Sequence, residues 1–123
     1  MKPEIKNLWV EALRSGNYEQ GTEYLHQNYK NDFAQDQYCC LGVLCEIALE
    51  TGIGLELDVT KYNSRILYNG EDQYLPDKVI EWAGLEDVAD GSGDIRVQNT
   101  TLASLNDGAY TFGEIADIIE KEL

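Results

Sequence analysis

Tyr38-Cys39-Cys40-Leu41-Gly42-Val43-Leu44-Cys45-Glu46-Ile47-Ala48 decides the fold. Drawn as a helix, its apolar residues cover nearly the whole circumference, and a helix that is apolar all round is buried. Asp36 stands just upstream, where a side-chain oxygen can accept from the free amides of a first turn. Gly52, after Thr51, supplies the stop. Gly42 costs about 1 kcal/mol of helix propensity, so a neighbouring backbone is expected to pack closely there. All three cysteines of the chain lie in this stretch. Function therefore turns on whether these thiols react or fill space.

Upstream, Pro3 fits the first position of a helix. Ile5, Leu8, Trp9 and Leu13 then recur at helical spacing until Gly16, which predicts an amphipathic helix over 3–15. Residues 16–37 are polar and irregular, with Thr22 to His26 as a candidate short strand.

Downstream, Ile53, Leu55, Leu57 and Val59 alternate with Gly54, Glu56, Asp58 and Thr60, the period of a strand with one wet face. Arg65 to Tyr68 and Gln73 to Leu75 flank Asn69-Gly70, a pair that supplies positive φ for a tight turn. Those two runs are expected to form a hairpin. Pro76 opens a short helix carrying Val79, Ile80 and Trp82, which Gly84 ends. Ile95-Arg96-Val97 is a candidate third strand, and Thr100 or Thr101 can cap a turn through Leu102 and Leu105. Thr111-Phe112-Gly113-Glu114 is a capping box. It opens a last helix whose core side is Phe112, Ile115, Ala116, Ile118, Ile119 and Leu123. The expected architecture is one α+β domain over 1–123: a buried central helix, amphipathic helices around it and a small antiparallel sheet.

With 123 residues, 43% of them hydrophobic, the chain can bury about two-thirds of its unfolded surface. Its 23 acidic and 9 basic residues leave a net charge of −14. The excess is uneven: residues 1–37 carry 4 basic and 6 acidic groups, the remainder 5 and 17. Such a surface repels phosphate backbones, so direct nucleic-acid binding is not expected, whereas a basic protein partner suits it. No apolar run approaches the ~20 residues of a membrane span, and Met1-Lys2-Pro3-Glu4 begins no signal peptide. An odd number of cysteines, two of them adjacent, argues against a disulfide framework and for a reducing cytoplasm. Their spacing is not that of a zinc site, and the single histidine, His26, lies well upstream. No metal and no cofactor is expected.

Three blocks together resemble a loose group of small proteins from phages, prophages and some bacteria. The first is the aromatic-Cys-x-x-Gly-x-Leu helix, here Tyr38 to Ile47. The second is Leu75-Pro76 followed by Glu81-Trp82-Ala83-Gly84-Leu85. The third is Leu102-Ala-Ser-Leu105-Asn106-Asp107 followed by Thr111-Phe112-x-Glu114-Ile115-Ala116. The group has no established activity, so the resemblance carries over no catalytic residue. It implies a phage or mobile-element origin and a role as an accessory or anti-defence factor.

Several constellations compete for the chemistry. Cys39 or Cys40, early in a helix where the dipole lowers a thiol pKa, could serve a cysteine hydrolase with His26 as base and Asn106 or Asp107 as orienter. The bland alternative is three small soft hydrophobes in a core. Asp90-Gly91-Ser92-Gly93-Asp94 has the alternating oxygens of a calcium loop, but Ile95 and Thr101 stand where glycine and glutamate are needed, so it is a flexible acidic turn. Tyr62, Tyr68 and Tyr74, with Arg65 and Arg96, could stack a base and hold a phosphate, capturing a nucleotide-like signal. Strand tyrosines also pack small sheets. Asn106-Asp107 either orients a ligand or stabilises a turn. Finally, Glu71, Asp72, Asp77, Glu81, Glu86, Asp87, Asp90 and Asp94 crowd into one segment, an acidic surface for a basic host protein or simply a solvated face. No P-loop, zinc cluster, nucleophile elbow or Rossmann fingerprint occurs. The expectation is a binding protein that counters a host factor, by capture of a nucleotide-like signal or by an acidic surface. A homo-oligomer would be compatible, and a cysteine hydrolase is the alternative.

Overall fold

In chain order the elements are α1 (Pro3–Arg14), β1 (Glu19–Gln20), β2 (His26–Gln27), β3 (Gln37–Tyr38), α2 (Cys40–Glu50), β4 (Leu57–Val59), β5 (Ile66–Tyr68), α3 (Asp77–Ala83), β6 (Arg96–Val97), β7 (Thr100–Thr101), α4 (Leu102–Asp107) and α5 (Phe112–Glu122). This computed structural model describes residues 1–28, 36–60 and 64–123. Helices and small, mostly antiparallel sheets make it an α+β fold, as the periodicities predict.

α2 is the axis. From Cys40 to Ala48 every residue except Glu46 is buried. A β-carbon on Gly42 would run into the Leu25 carbonyl. That is the close backbone approach its helix-weakening residue implies. Trp9 of α1 is fully buried and its Nε1 donates to the Cys40 carbonyl at 2.9 Å. Burying a side chain of that size contributes about 3 kcal/mol, and the hydrogen bond fixes how α1 lies on α2. α5 packs along α1, where Arg14 reaches Asp117 at 2.6 Å and Glu120 at 3.1 Å. The capping box at its start is complete: Thr111 accepts from the Glu114 amide, and Glu114 accepts from the Thr111 amide at 3.0 Å. Ile115, Ala116 and Ile119 enter the core.

Four local expectations are corrected. Asp36 does not cap α2, because β3 intervenes and Cys39 occupies the cap without a side-chain bond. The candidate strand at Thr22 to His26 is a turn that becomes extended only at His26–Gln27; β3 pairs antiparallel with this segment and parallel with Glu19–Gln20. The alternation over residues 53–60 forms a strand only at Leu57–Val59, and all three residues are exposed. The tight turn at Asn69-Gly70 exists, with φ of 52° and 83°, but β5 pairs with β4 and not with residues 73–75. The reason is local. Asn69 donates its amide to the Glu56 carbonyl and accepts the Glu56 amide on Oδ1, while Leu75 donates to Gly93.

Candidate functional site

The thiols are core. Cys39 is 3% exposed, and Cys40 and Cys45 are fully buried. Burial pushes the Cys39 thiol up to about 12 and the other two well above their ordinary value. Thiolates are the nucleophiles, so these sulfurs are poor ones. Cys40 Sγ donates to the Leu102 carbonyl at 3.7 Å. His26 shares one hydrogen bond of 2.9 Å with Tyr68 through Nδ1 and another of 2.9 Å with Asp36 through Nε2. Both ring nitrogens are thus taken, and the expected pairing of His26 with Cys40 is not assembled. Asp107, the expected orienter, accepts the Glu23 amide at 2.9 Å.

Asn106 is 2% exposed. Its Oδ1 accepts from the Cys40 amide at 3.1 Å and from Gln20 Nε2 at 3.1 Å, and its Nδ2 donates to the Gly21 carbonyl at 2.8 Å. It supplies from α4 the cap that α2 lacks locally. The Asn106-Asp107 pair clamps the Gly21–Glu23 segment.

The residues expected to hold a nucleotide are mostly spent inside the fold. Tyr68 is fully buried. Arg65 lies over the Tyr24 ring, its guanidinium carbon 3.6 Å from the centroid, and donates to Asp72 at 3.2 Å. Arg96 is exposed and donates to the Asp87 carbonyl at 3.3 Å. Tyr74 is half-buried, and Tyr62 lies outside the described residues. In the acidic turn, Asp90 Oδ1 accepts from Ser92 N, Ser92 Oγ and Asp94 N; the Ser92 hydroxyl bond holds its carboxyl below the usual range. Among the described residues no group of three or more His, Cys, Asp or Glu could hold a metal ion. No described helix is long and apolar enough to cross a membrane.

A concavity of about 840 Å³ lies elsewhere, between α1 and α2. Leu8, Glu11 and Ala12 of α1, with the cap residue Ser15, line one side, and Glu46 and Glu50 line the other from α2. Part of its lining is aromatic. The Tyr18 and Tyr38 rings meet edge to face, centroids 5.1 Å apart at 87°, and Tyr38 stacks on His26 at 4.2 Å. Tyr38 Oη donates to Glu46 Oε1 at 3.3 Å, and His26 Nδ1 lies 3.7 Å from the same oxygen. Burial raises the Glu46 carboxyl above its ordinary value. Burial, with Glu46 nearby, likewise raises the Tyr38 and Tyr68 phenols, which therefore stay protonated donors. Chemically this is an aromatic wall beside a half-buried carboxylate, suited to holding positive charge.

Glu46, Tyr18 and Tyr38 were not among the expected site residues. The signal was present: Glu46 is the only charged residue in Tyr38–Ala48, and a lone charge on a buried helix requires a partner.

The chain belongs to the family described as domain of unknown function DUF8296, which matches residues 1–123. No curated protein and no solved structure matches it.

Proposed function

We propose that this protein acts by binding, without catalysis, as an accessory factor of phage or mobile-element type that meets a basic host protein through its acidic surface. The observation that carries this reading is the contrast between sequestered thiols and projecting carboxylates. Glu71, Asp77, Glu81, Glu86 and Asp87 are exposed, and Glu71, Asp77 and Glu81 share a recess of about 710 Å³ with Asp90. Among the described residues its one cation is Lys78, whose Nζ donates to the Gly54 carbonyl at 2.7 Å. A surface of one sign steers an oppositely charged partner and weakens with salt. Capture of a nucleotide-like signal is the less supported mechanism, because Tyr68 and Arg65 are engaged internally.

Native mass spectrometry of the protein purified from phage-infected cells tests the proposal. A co-purifying basic protein that dissociates as salt rises is expected. A retained mass of nucleotide size, with no protein partner, would overturn it.

A further inference from the structure

The geometry points to a specific recognition site within that interaction: the cleft between α1 and α2 takes a lysine side chain of the basic partner. The inference rests on the reading above that the partner is basic, and it adds where and how one of its residues is read.

Three independent features of the cleft converge on an alkylammonium group with an apolar stem. The first is a carboxylate short of positive charge. The Glu46 side chain is 22% exposed, and its one ion-pair partner among the described residues is His26, at 3.7 Å. Half-buried carboxylates are ordinarily matched by a cation. Among the described residues no Lys or Arg lines the cleft. The second is the right-angled corner of Tyr18 and Tyr38. Both tyrosines line the cleft beside the carboxylate, and aromatic rings so placed attract an ammonium by cation–π interaction. The third is Leu8, an exposed large hydrophobe at 44% on the cleft wall. An ammonium alone would not need it. The methylene stem of a lysine would cover it while the head group reaches Glu46, with Glu50 at the rim.

The test uses the full chain and an acetylated pentalysine peptide, followed by calorimetry and by the ring resonances of Tyr18 and Tyr38. Saturable binding that moves both sets of resonances is expected. Glu46→Gln and, on the exposed rim, Glu50→Gln should each weaken it about tenfold, the loss of one charge-assisted contact, whereas Glu86→Gln on the remote acidic surface should not. Glu50→Gln keeps the test decisive should Glu46→Gln disturb the core. Peptide binding that is salt-sensitive but indifferent to both cleft substitutions would sink the cleft assignment and leave the acidic-surface reading standing. No salt-sensitive binding at all would sink both. Spermidine shifting the tyrosine resonances where the peptide does not would make this a free polyamine site and overturn the proposal.

Discussion

Asn106 Oδ1 accepts the Cys40 amide across 66 residues of sequence, at 3.1 Å. A buried helix whose own flanking residues leave its first amide unpaired is thereby closed by a side chain from α4. The same amide group also holds Gly21 and Gln20, so one residue joins the start of α2, the β1 turn and α4.

Replacing Asn106 by alanine strands the Cys40 amide and the Gly21 carbonyl without partners. Each buried orphan costs about 1–3 kcal/mol, so Asn106→Ala should lose about 3 kcal/mol in urea unfolding. Asn106→Asp keeps an acceptor for Cys40 but sets a carboxylate against the Gly21 carbonyl, and should be no better. A ligand-orienting residue would instead leave the unfolding midpoint unchanged.

Gly42→Ala tests the tightest crossing in the fold. The added methyl meets the Leu25 carbonyl, a backbone atom that cannot rotate away. Overpacking of this kind costs about 3 kcal/mol. Gly91→Ala is the control, because nothing lies within 4 Å of a β-carbon there.

The three thiols should resist iodoacetamide in the native protein. Reaction should follow the fraction unfolded as urea is raised, since the thiolate is neither exposed nor favoured. Cys39 also predicts an alkaline limb. Its folded value of about 12 exceeds its ordinary 9.0, so the folded state holds the proton more tightly. Stability is therefore intact below about 9 and falls as pH rises towards 12. Fast labelling of any one cysteine in native conditions would contradict this.

Glu46 gives an opposite sign to the familiar salt-bridged acid. Burial raises its folded value above 4.5, so the folded protein binds this proton more tightly than the unfolded chain. Stability from this group is highest in acid and is lost as pH rises from 4.5 through the folded value. Wild type should lose stability relative to Glu46→Gln across that window and run level with it below, as thermal melts in matched buffers would show. An occupied cation cleft should reduce the difference.

Much of the skeleton was legible because it depends on local chemistry. The Thr111–Glu114 box, the Gly84 stop and the all-round apolarity of α2 each act within a few residues. β4 and β5 were harder. Asn69-Gly70 announces a tight turn, yet the choice between residues 57–59 and 73–75 as partner lies with the Asn69 side chain on Glu56, a contact no periodicity encodes. Asp36 illustrates the same limit: a good capping residue by type, it is drawn to His26 instead. Of the site, the cysteine core was anticipated. The aromatic corner was not, because Tyr18 and Tyr38 come together beside the pairing of β1 with β3, which joins residues far apart in sequence.

The Arg14–Asp117 link joins residues 103 apart in sequence. A ribosome delivering this chain from its N-terminus leaves the oily stripe of α1, with Ile5, Val10 and Leu13, without its α5 cover until that distance has been translated. During that interval the nascent polypeptide is a natural client for holdase chaperones, and its yield in a cell should track their supply.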